Sequence, residues 1–537
     1  MIKNSSPYIY LPLAFAAVLG IGIYLGTYLA PASQTVFSTG GGGGGKFETV
    51  IDYISDEYVD TVSKKRLTEM ALTLMLPHLD PHSSYIPAED LKGVNEVMEG
   101  NFEGIGVEFN IQRDTILVVA AIPGGPSEKV GIRAGDRIVK IENVNVASIG
   151  IKNNDVIKKL RGDRGTKVRV GIVRAGNMKK PLDFTITRGK IPIHSIETSY
   201  MIDGDIGYIR LTRFAETSYD EFVDAFNGLK KQGMKKLIFD LRDNPGGLLN
   251  ICIDIADEFL SSGKLIVYTE GRNSPRSDDF ATDRGSFENS PLVILVDEGS
   301  ASASEIVAGA VQDNDRGTII GRRTFGKGLV QHQQELKDGS ALRLTIARYY
   351  TPTGRSIQKP FVTGVDDYYE EVNKRFDSGE LENIDSIKLD KKNVFKTPKG
   401  KVVYGGGGIM PDIFIPLDTA GFTPYFTMLN GKGLVNDFAL NYVDRNRGTL
   451  KARYTNAKAF ADGFIVDDGM LNDLVTYGVS KGVPANPVQL QRSAALIKEN
   501  VKAIIGRSVA GSEAVYRSLH KNDKAVIKAI DVLRSGK

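Results

Sequence analysis

"PLVILVDEGSASASEIVAGAVQD", residues 291–313, is the stretch that decides the fold. The unbroken apolar run Leu292 to Val296 suits a strand covered on both faces, as in a parallel sheet. A tight turn of small residues follows, and then a helical segment begins at Ala303. Strand, turn and helix in this order predict a crossover connection between parallel strands. They also present a side chain at a helix N-terminus, where unpaired amides and the macrodipole favour a developing negative charge. Ser300, Ser302 and Ser304 stand there, and Ala301 and Ala303 leave room for a substrate backbone. A plainer reading competes: Ser302-Ala303-Ser304-Glu305 is a capping box, S-x-x-E, in which a serine only ties down amides.

The same texture extends outward. "IGYIRLTRF" (206–214) precedes the helical "YDEFVDAFNGLKKQG" (219–233), and "KKLIFDLR" (235–242) precedes "LLNICIDIADEFL" (248–260). Alternating strands and helices predict an α/β unit with parallel pairing. "LVQHQQELK" and "ALRLTIARYY", joined at Asp338-Gly339, predict a hairpin. A second glycine-rich turn, "DLRDNPGGLL" (240–249), lies upstream, and Gly246 and Gly247 can expose backbone N–H groups there. With the Ala303 amide, those groups would make an oxyanion hole.

"GRRTFGKGLVQ" (321–331) matches the spacing G-x-x-x-x-G-K of a phosphate-binding loop. Such a loop needs Ser or Thr after the Lys and then a helix. Here Gly328 follows Lys327, and a β-like stretch comes next, which disfavours nucleotide binding. The other reading is a catalytic lysine.

Bulk composition narrows the classes further. The chain has 537 residues, a formal net charge of +3, one cysteine and five histidines. Nothing in that balance points to a nucleic-acid partner. Cys252 rules out an intrachain disulfide and sits in an apolar run, as a core residue does. The histidines show no zinc-site spacing, so neither a metal nor a cofactor is expected. Residues 9–30 carry no charge, and Lys3 precedes them without any acidic residue. That run is long enough to span a bilayer, and the charge bias leaves residues 1–8 in the cytoplasm. It reads as an uncleaved anchor, with a removed signal as the alternative. Residues 31–46 include six consecutive glycines, a flexible tether. Residues 47–100 read as helical, 101–190 as short strands and turns, and 360–400 as a charged surface insertion. Residues 419–537 are helical and amphipathic.

Taken together, "SASASEIVAGAVQD", "TFGKG", "LRDNPGG", "GIMPD" and the earlier "LDPHSSY" (79–85) resemble the carboxyl-terminal processing peptidases, or tail-specific proteases. The resemblance covers roughly residues 47–416. It implies a multidomain α/β protein with a helical segment, a PDZ domain (101–190) and a ββα, crotonase-like peptidase core (191–418). By resemblance Ser302 is the nucleophile, Lys327 the general base and Gln331 its support. Gly246 or Gly247 is the oxyanion donor, and Asp313 falls at a position some members use. Gly104, Ile105, Gly106 and Val107 would hold a peptide's terminal carboxylate, favouring substrates with free apolar C-termini.

Physical chemistry agrees on one demand. A lysine can take a serine's proton only when neutral, and burial lowers its pKa. Phe325, Leu329 and Val330 are suitable wall material for that. His332 is the competing base, five residues from Lys327 and so on the other face of a strand. Two other classes stay open: an inactive PDZ scaffold at the membrane, and an NTPase. A periplasmic location, and a homo-oligomer or adaptor docking on the C-terminal region, are further expectations.

Overall fold

Leu292–Val296 is a strand with all five residues buried, in the middle of a six-stranded sheet. The order across the sheet is Ile196–Asp203, Ile206–Leu211, Lys236–Asp240, Leu292–Val296, Thr318–Gly321 and Ile413–Phe414. The first two strands are antiparallel, and every other neighbouring pair is parallel. Helices supply the crossovers, as the alternation predicts. Ser218–Lys231 buries Phe222, Phe226 and Leu229, spaced four and three apart, on the sheet. Each such phenylalanine contributes roughly 2–3 kcal/mol relative to an exposed one. Leu249–Asp257 buries Cys252 completely, and desolvation pushes its thiol well up. Ala303–Asp313 is buried along its whole length.

This computed structural model describes residues 18–21 and 44–536, except 113, 123, 175, 176, 362, 363 and 389–391. The expected membrane span, 9–30, falls mostly outside the described residues; Val18 to Ile21 are helical and exposed. No helix of the described residues is long and apolar enough to cross a membrane. Met1–Met75 forms one unit, containing the helices Gly44–Glu57 and Lys64–Met75. Leu76–Lys537 forms the other. The helical segment read as 47–100 is therefore divided, and its "LDPHSSY" stretch belongs with the second unit.

In that second unit the hairpin Leu329–Glu335 and Ala341–Tyr350 forms as expected. Ser84–Ile86 pairs with Ala341–Tyr350 on the side away from Leu329–Glu335. The PDZ region holds a sheet in which Val107–Ile111 is an edge strand, paired among the described residues only with Ile116–Ala121. The helix Asn153–Leu160 contributes Val156 and Leu160 to the core beneath that sheet.

Two regions differ from the expectation. The stretch read as a surface insertion contains the helix Val365–Asp377, which buries Tyr368 and Arg375. Arg375 donates to the carbonyls of Arg323 (3.3 Å), Thr324 (2.8 Å) and Phe325 (3.2 Å), so the insertion clasps the loop leading into Lys327. The C-terminal helices build their own core around Phe426, Leu429, Phe460 and Ile497. The last of them, Lys524–Ser535, covers the second face of the peptidase sheet through Val526, Ala529 and Leu533. Its capping residue Asp523 also accepts from Arg242 at 2.8 Å, which ties this end to the "DLRDNPGG" turn.

Candidate active site

Two turns meet beyond the carboxyl ends of the central strands, where open α/β sheets place their ligands. Hydrogen bonds stitch them together. Ala301 N–H donates to Asn244 O (2.9 Å), Ser304 Oγ donates to the same carbonyl (2.9 Å), and Ser300 Oγ donates to Leu241 O (2.8 Å). Ser300 and Ser304 are fully buried. Of the three serines, these two are structural, and only Ser302 lines a cavity.

Ser302 has φ 54°, a value that costs a non-glycine residue of order 1–3 kcal/mol unless its surroundings enforce it. Glu305 does so. One carboxylate oxygen accepts the N–H groups of Ser302 (2.9 Å) and Lys327 (2.8 Å). The other accepts Thr324 Oγ (2.5 Å) and Gly326 N–H (2.8 Å). The glutamate half of the capping box is therefore real, and the same glutamate also binds the lysine's loop. Burial raises the Glu305 carboxyl to about 7 despite these four donors. The Tyr349 hydroxyl adds a second link, lying between the carbonyls of Ser302 (3.1 Å) and Lys327.

Ser302, Lys327, Gln331, Gly247, Ala303 and Arg343 all line one cavity of about 470 Å³. Burial, and then the Arg343 charge, lower the Lys327 amine to about 8, against the opposing pull of Glu305 and Asp80. At pH 7 roughly a tenth of it is then neutral, compared with below about 0.1% for an ordinary lysine. Leu329 and Val330 form wall material as expected, but Phe325 does not: its ring packs edge-on to Tyr368 and under Lys359.

Gly246 has φ 97°, and an added Cβ would come within 2.8 Å of Ser302 Cβ and 2.9 Å of Ala303 N. Its own N–H donates to Asn244 Oδ1 at 2.9 Å. It is a spacer, then, and the donor role expected of it is already committed elsewhere. Ala303 begins its helix and has no intrahelical acceptor for its N–H. The Gly247 N–H donates to no group among the described residues.

One family model matches the region in which these features lie, and another matches the region before it. One, described as Peptidase family S41, covers residues 205–369; the other, PDZ domain, covers residues 117–174. A third, described as a family of unknown function (DUF8443), covers residues 425–511. A carboxy-terminal-processing protease of Bartonella bacilliformis is 40% identical over 318 residues, covering 58% of this chain and 72% of that protein. The chain belongs to the carboxy-terminal processing protease family. The carboxy-terminal processing protease CtpA of Bacillus subtilis is 36% identical over 327 residues, covering 61% and 69%. Among solved structures, a photosystem II D1 C-terminal processing protease is 27% identical, covering 70% of this chain and 93% of that one, with TM-score 0.35. The family makes the chain a serine-type peptidase with a PDZ domain, and the inactive-scaffold and NTPase readings are not favoured.

Several expected site residues of this processing peptidase lie apart from the cavity. Asp313 ends the helix that Ala303 begins, roughly 15 Å along its axis. It is fully buried there against Arg355 (2.7 Å) and does not line the cavity. His332, the competing base, lines the same cavity, but it is exposed and not desolvated by burial as the Lys327 amine is. Gly104, Ile105, Gly106 and Val107 form the loop entering the PDZ edge strand, with Gly106 at φ 72°. The carbonyls of Ile105 and Gly106 accept from Ser127 N–H (3.0 Å) and Ile122 N–H (3.0 Å). In a trans peptide the next N–H points the opposite way, which turns those of Gly106 and Val107 outward.

Proposed function

We propose that Ser302 attacks the scissile carbonyl of a protein near its C-terminus, with Lys327 as general base. The Ser302 proton passes to Lys327 Nζ as the Oγ–C bond forms, and the oxyanion sits against the N–H groups of Gly247 and Ala303. Collapse expels the amine, which takes the proton from Lys327 and leaves an acyl-enzyme. Water then repeats the cycle, again giving its proton to Lys327, and Ser302 is released. The observation that carries this reading is the Glu305 carboxylate, which grips the backbone of both residues at one cavity.

The PDZ edge strand Val107–Ile111 would take the substrate's tail as an added strand, its terminal carboxylate on the N–H groups of Gly106 and Val107. Apolar pockets beside that strand would take the tail's last side chains. The test is cleavage of one peptide made with a free and with an amidated C-terminus. Amidation is expected to lower kcat/KM at least tenfold, chiefly through KM. Equal kcat/KM values would remove the carboxylate from recognition.

We also infer that residues 9–30 tether the enzyme to a membrane with the catalytic part outside the cytoplasm, the periplasm in a Gram-negative cell. The support is the uncharged run behind Lys3. The full chain is expected to stay in the membrane pellet after alkaline carbonate washing, and a chain starting at Lys46 in the supernatant. Release of both by the wash would favour cleavage of a signal or no insertion.

A further inference from the structure

The "LDPHSSY" stretch lies far in sequence from the catalytic residues, yet its aspartate connects to them through two hydrogen bonds. Asp80 is 7% exposed. Its Oδ1 accepts the N–H groups of His82 (2.8 Å) and Ser83 (2.9 Å) and the Thr345 hydroxyl (3.0 Å). Its Oδ2 accepts Ser83 Oγ at 2.5 Å. Burial pushes the carboxyl up, but these donors outweigh it and hold it below its ordinary value. At neutral pH Asp80 is therefore an acceptor with no proton to give.

That settles the direction of every bond beyond it. A threonine hydroxyl carries one proton, and Thr345 gives its proton to Asp80. Its oxygen can then only accept from Gln331, 3.3 Å away, and an amide donates only through its nitrogen. The Gln331 nitrogen is held on Thr345, and the amide's other end is the carbonyl oxygen. Gln331 pairs with Thr345 across the hairpin at an irregularity in register, where Ile346 is left over. Such bulges re-aim side chains beside active sites.

We propose that Asp80, acting through Thr345, fixes the polarity of the Gln331 amide, so that its oxygen and not its NH2 group faces Lys327 Nζ. Asp80 and Thr345 are then positioning residues for the lysine, a role that rests on the Ser302–Lys327 reading. An oxygen facing Nζ accepts one of its N–H groups and leaves the nitrogen lone pair for the Ser302 proton. A reversed amide would direct N–H groups at the ammonium and misalign it. Glu305, Arg343 and His82 also act electrostatically on Lys327, and Tyr349 and His332 line the same cavity. His82 is held neutral to about pH 4 by burial and by the Lys327 charge, and its ring bonds Tyr368 Oη at 3.0 Å.

Thr345→Val keeps the side chain's shape and breaks the relay. Asp80→Asn can offer NH2 to Thr345, which frees the threonine proton for Gln331 and turns the amide around. Each is expected to lower kcat ten- to a hundredfold on a peptide with a free apolar C-terminus, with KM within about twofold. Thr345→Ser is expected to restore kcat to within about threefold. Losing the accepting oxygen disfavours the ammonium, so the ascending limb of kcat against pH moves to lower pH. A merely structural loosening would not move that limb. In a Gln331→Ala background, Thr345→Val is expected to add no further loss. Asp80→Asn also touches two backbone N–H groups, so melting curves accompany it, and Thr345→Val decides if it fails to fold. An unshifted limb in Thr345→Val, or full multiplication of its loss with that of Gln331→Ala, overturns the relay. Ser302→Ala and Lys327→Ala run alongside: hydrolysis surviving in either removes the underlying dyad as well.

Discussion

Lys327→Ala is expected to lower kcat for peptide hydrolysis about a thousandfold or more, with the melting temperature kept within a few degrees. General-base catalysis contributes typically 10²–10⁴-fold, and a serine hydroxyl without a base is a weak nucleophile. Folding is spared for a reason of sign. The folded-state pKa of Lys327 is lowered to about 8, beneath that of an unfolded lysine. Its contribution to stability is therefore unfavourable below about pH 8, and the penalty disappears as pH rises toward the unfolded value near 10.4. Removing the side chain removes that penalty. In the wild type, kcat/KM should climb about tenfold per pH unit below about 8 and level off above it. Arg343→Met takes away the cation that helps hold Lys327 neutral, so this limb should move to higher pH, with most activity returning by pH 9. His332→Ala should leave the profile where it is. Ordinary turnover by Lys327→Ala, or a limb that follows His332, would sink the dyad.

Much of this arrangement was legible because local pattern and tertiary role coincide. The all-apolar Leu292–Val296 run and the turn after it predict the central strand and the helix N-terminus that bears Ser302. The glycine beyond Lys327 speaks against a phosphate loop from the sequence alone. What the sequence conceals is contact between distant segments. Glu305 has the spacing of a capping residue and gives no sign that its second oxygen holds Thr324 and Gly326. Thr345 and Asp80 are 265 positions apart, and nothing in either segment alone announces their bond. The charged stretch after residue 360 resembles solvent-facing surface because its buried members, Tyr368 and Arg375, stand among acidic neighbours. Two placements were readable from spacing alone. Asn244 stands two residues before Gly246, the spacing of an Asx turn, and that turn engages the Gly246 N–H. Asp313 lies ten residues beyond Ala303 on one helix, too far along the axis to act at its N-terminus.

Gly246→Ala is expected to lower kcat a hundred- to a thousandfold while the chain remains folded. The added Cβ would lie 2.7 Å from Ala301 O, 2.8 Å from Ser302 Cβ and 2.9 Å from Ala303 N. All three are within the nucleophile turn, and two are backbone atoms that cannot step aside as a flexible side chain can. The backbone at φ 97° adds strain for any L-residue. Relief must come from separating the two turns, which displaces both the Ser302 hydroxyl and the Ala303 N–H from the reacting carbonyl. Losing one oxyanion donor alone costs about 10²–10³ in kcat. Global stability is less exposed, because the core strands beneath are buried and Ser300 and Ser304 still hold the turn to Leu241 and Asn244. The Glu305 grip on Ser302 and Lys327 also remains, so the ascending pH limb should keep its position while its height falls. That separates a misplaced oxyanion site from a disturbed base. A variant with unaltered kcat would mean that the turns move apart in the working enzyme, and Gly247 would have to meet the oxyanion from another position.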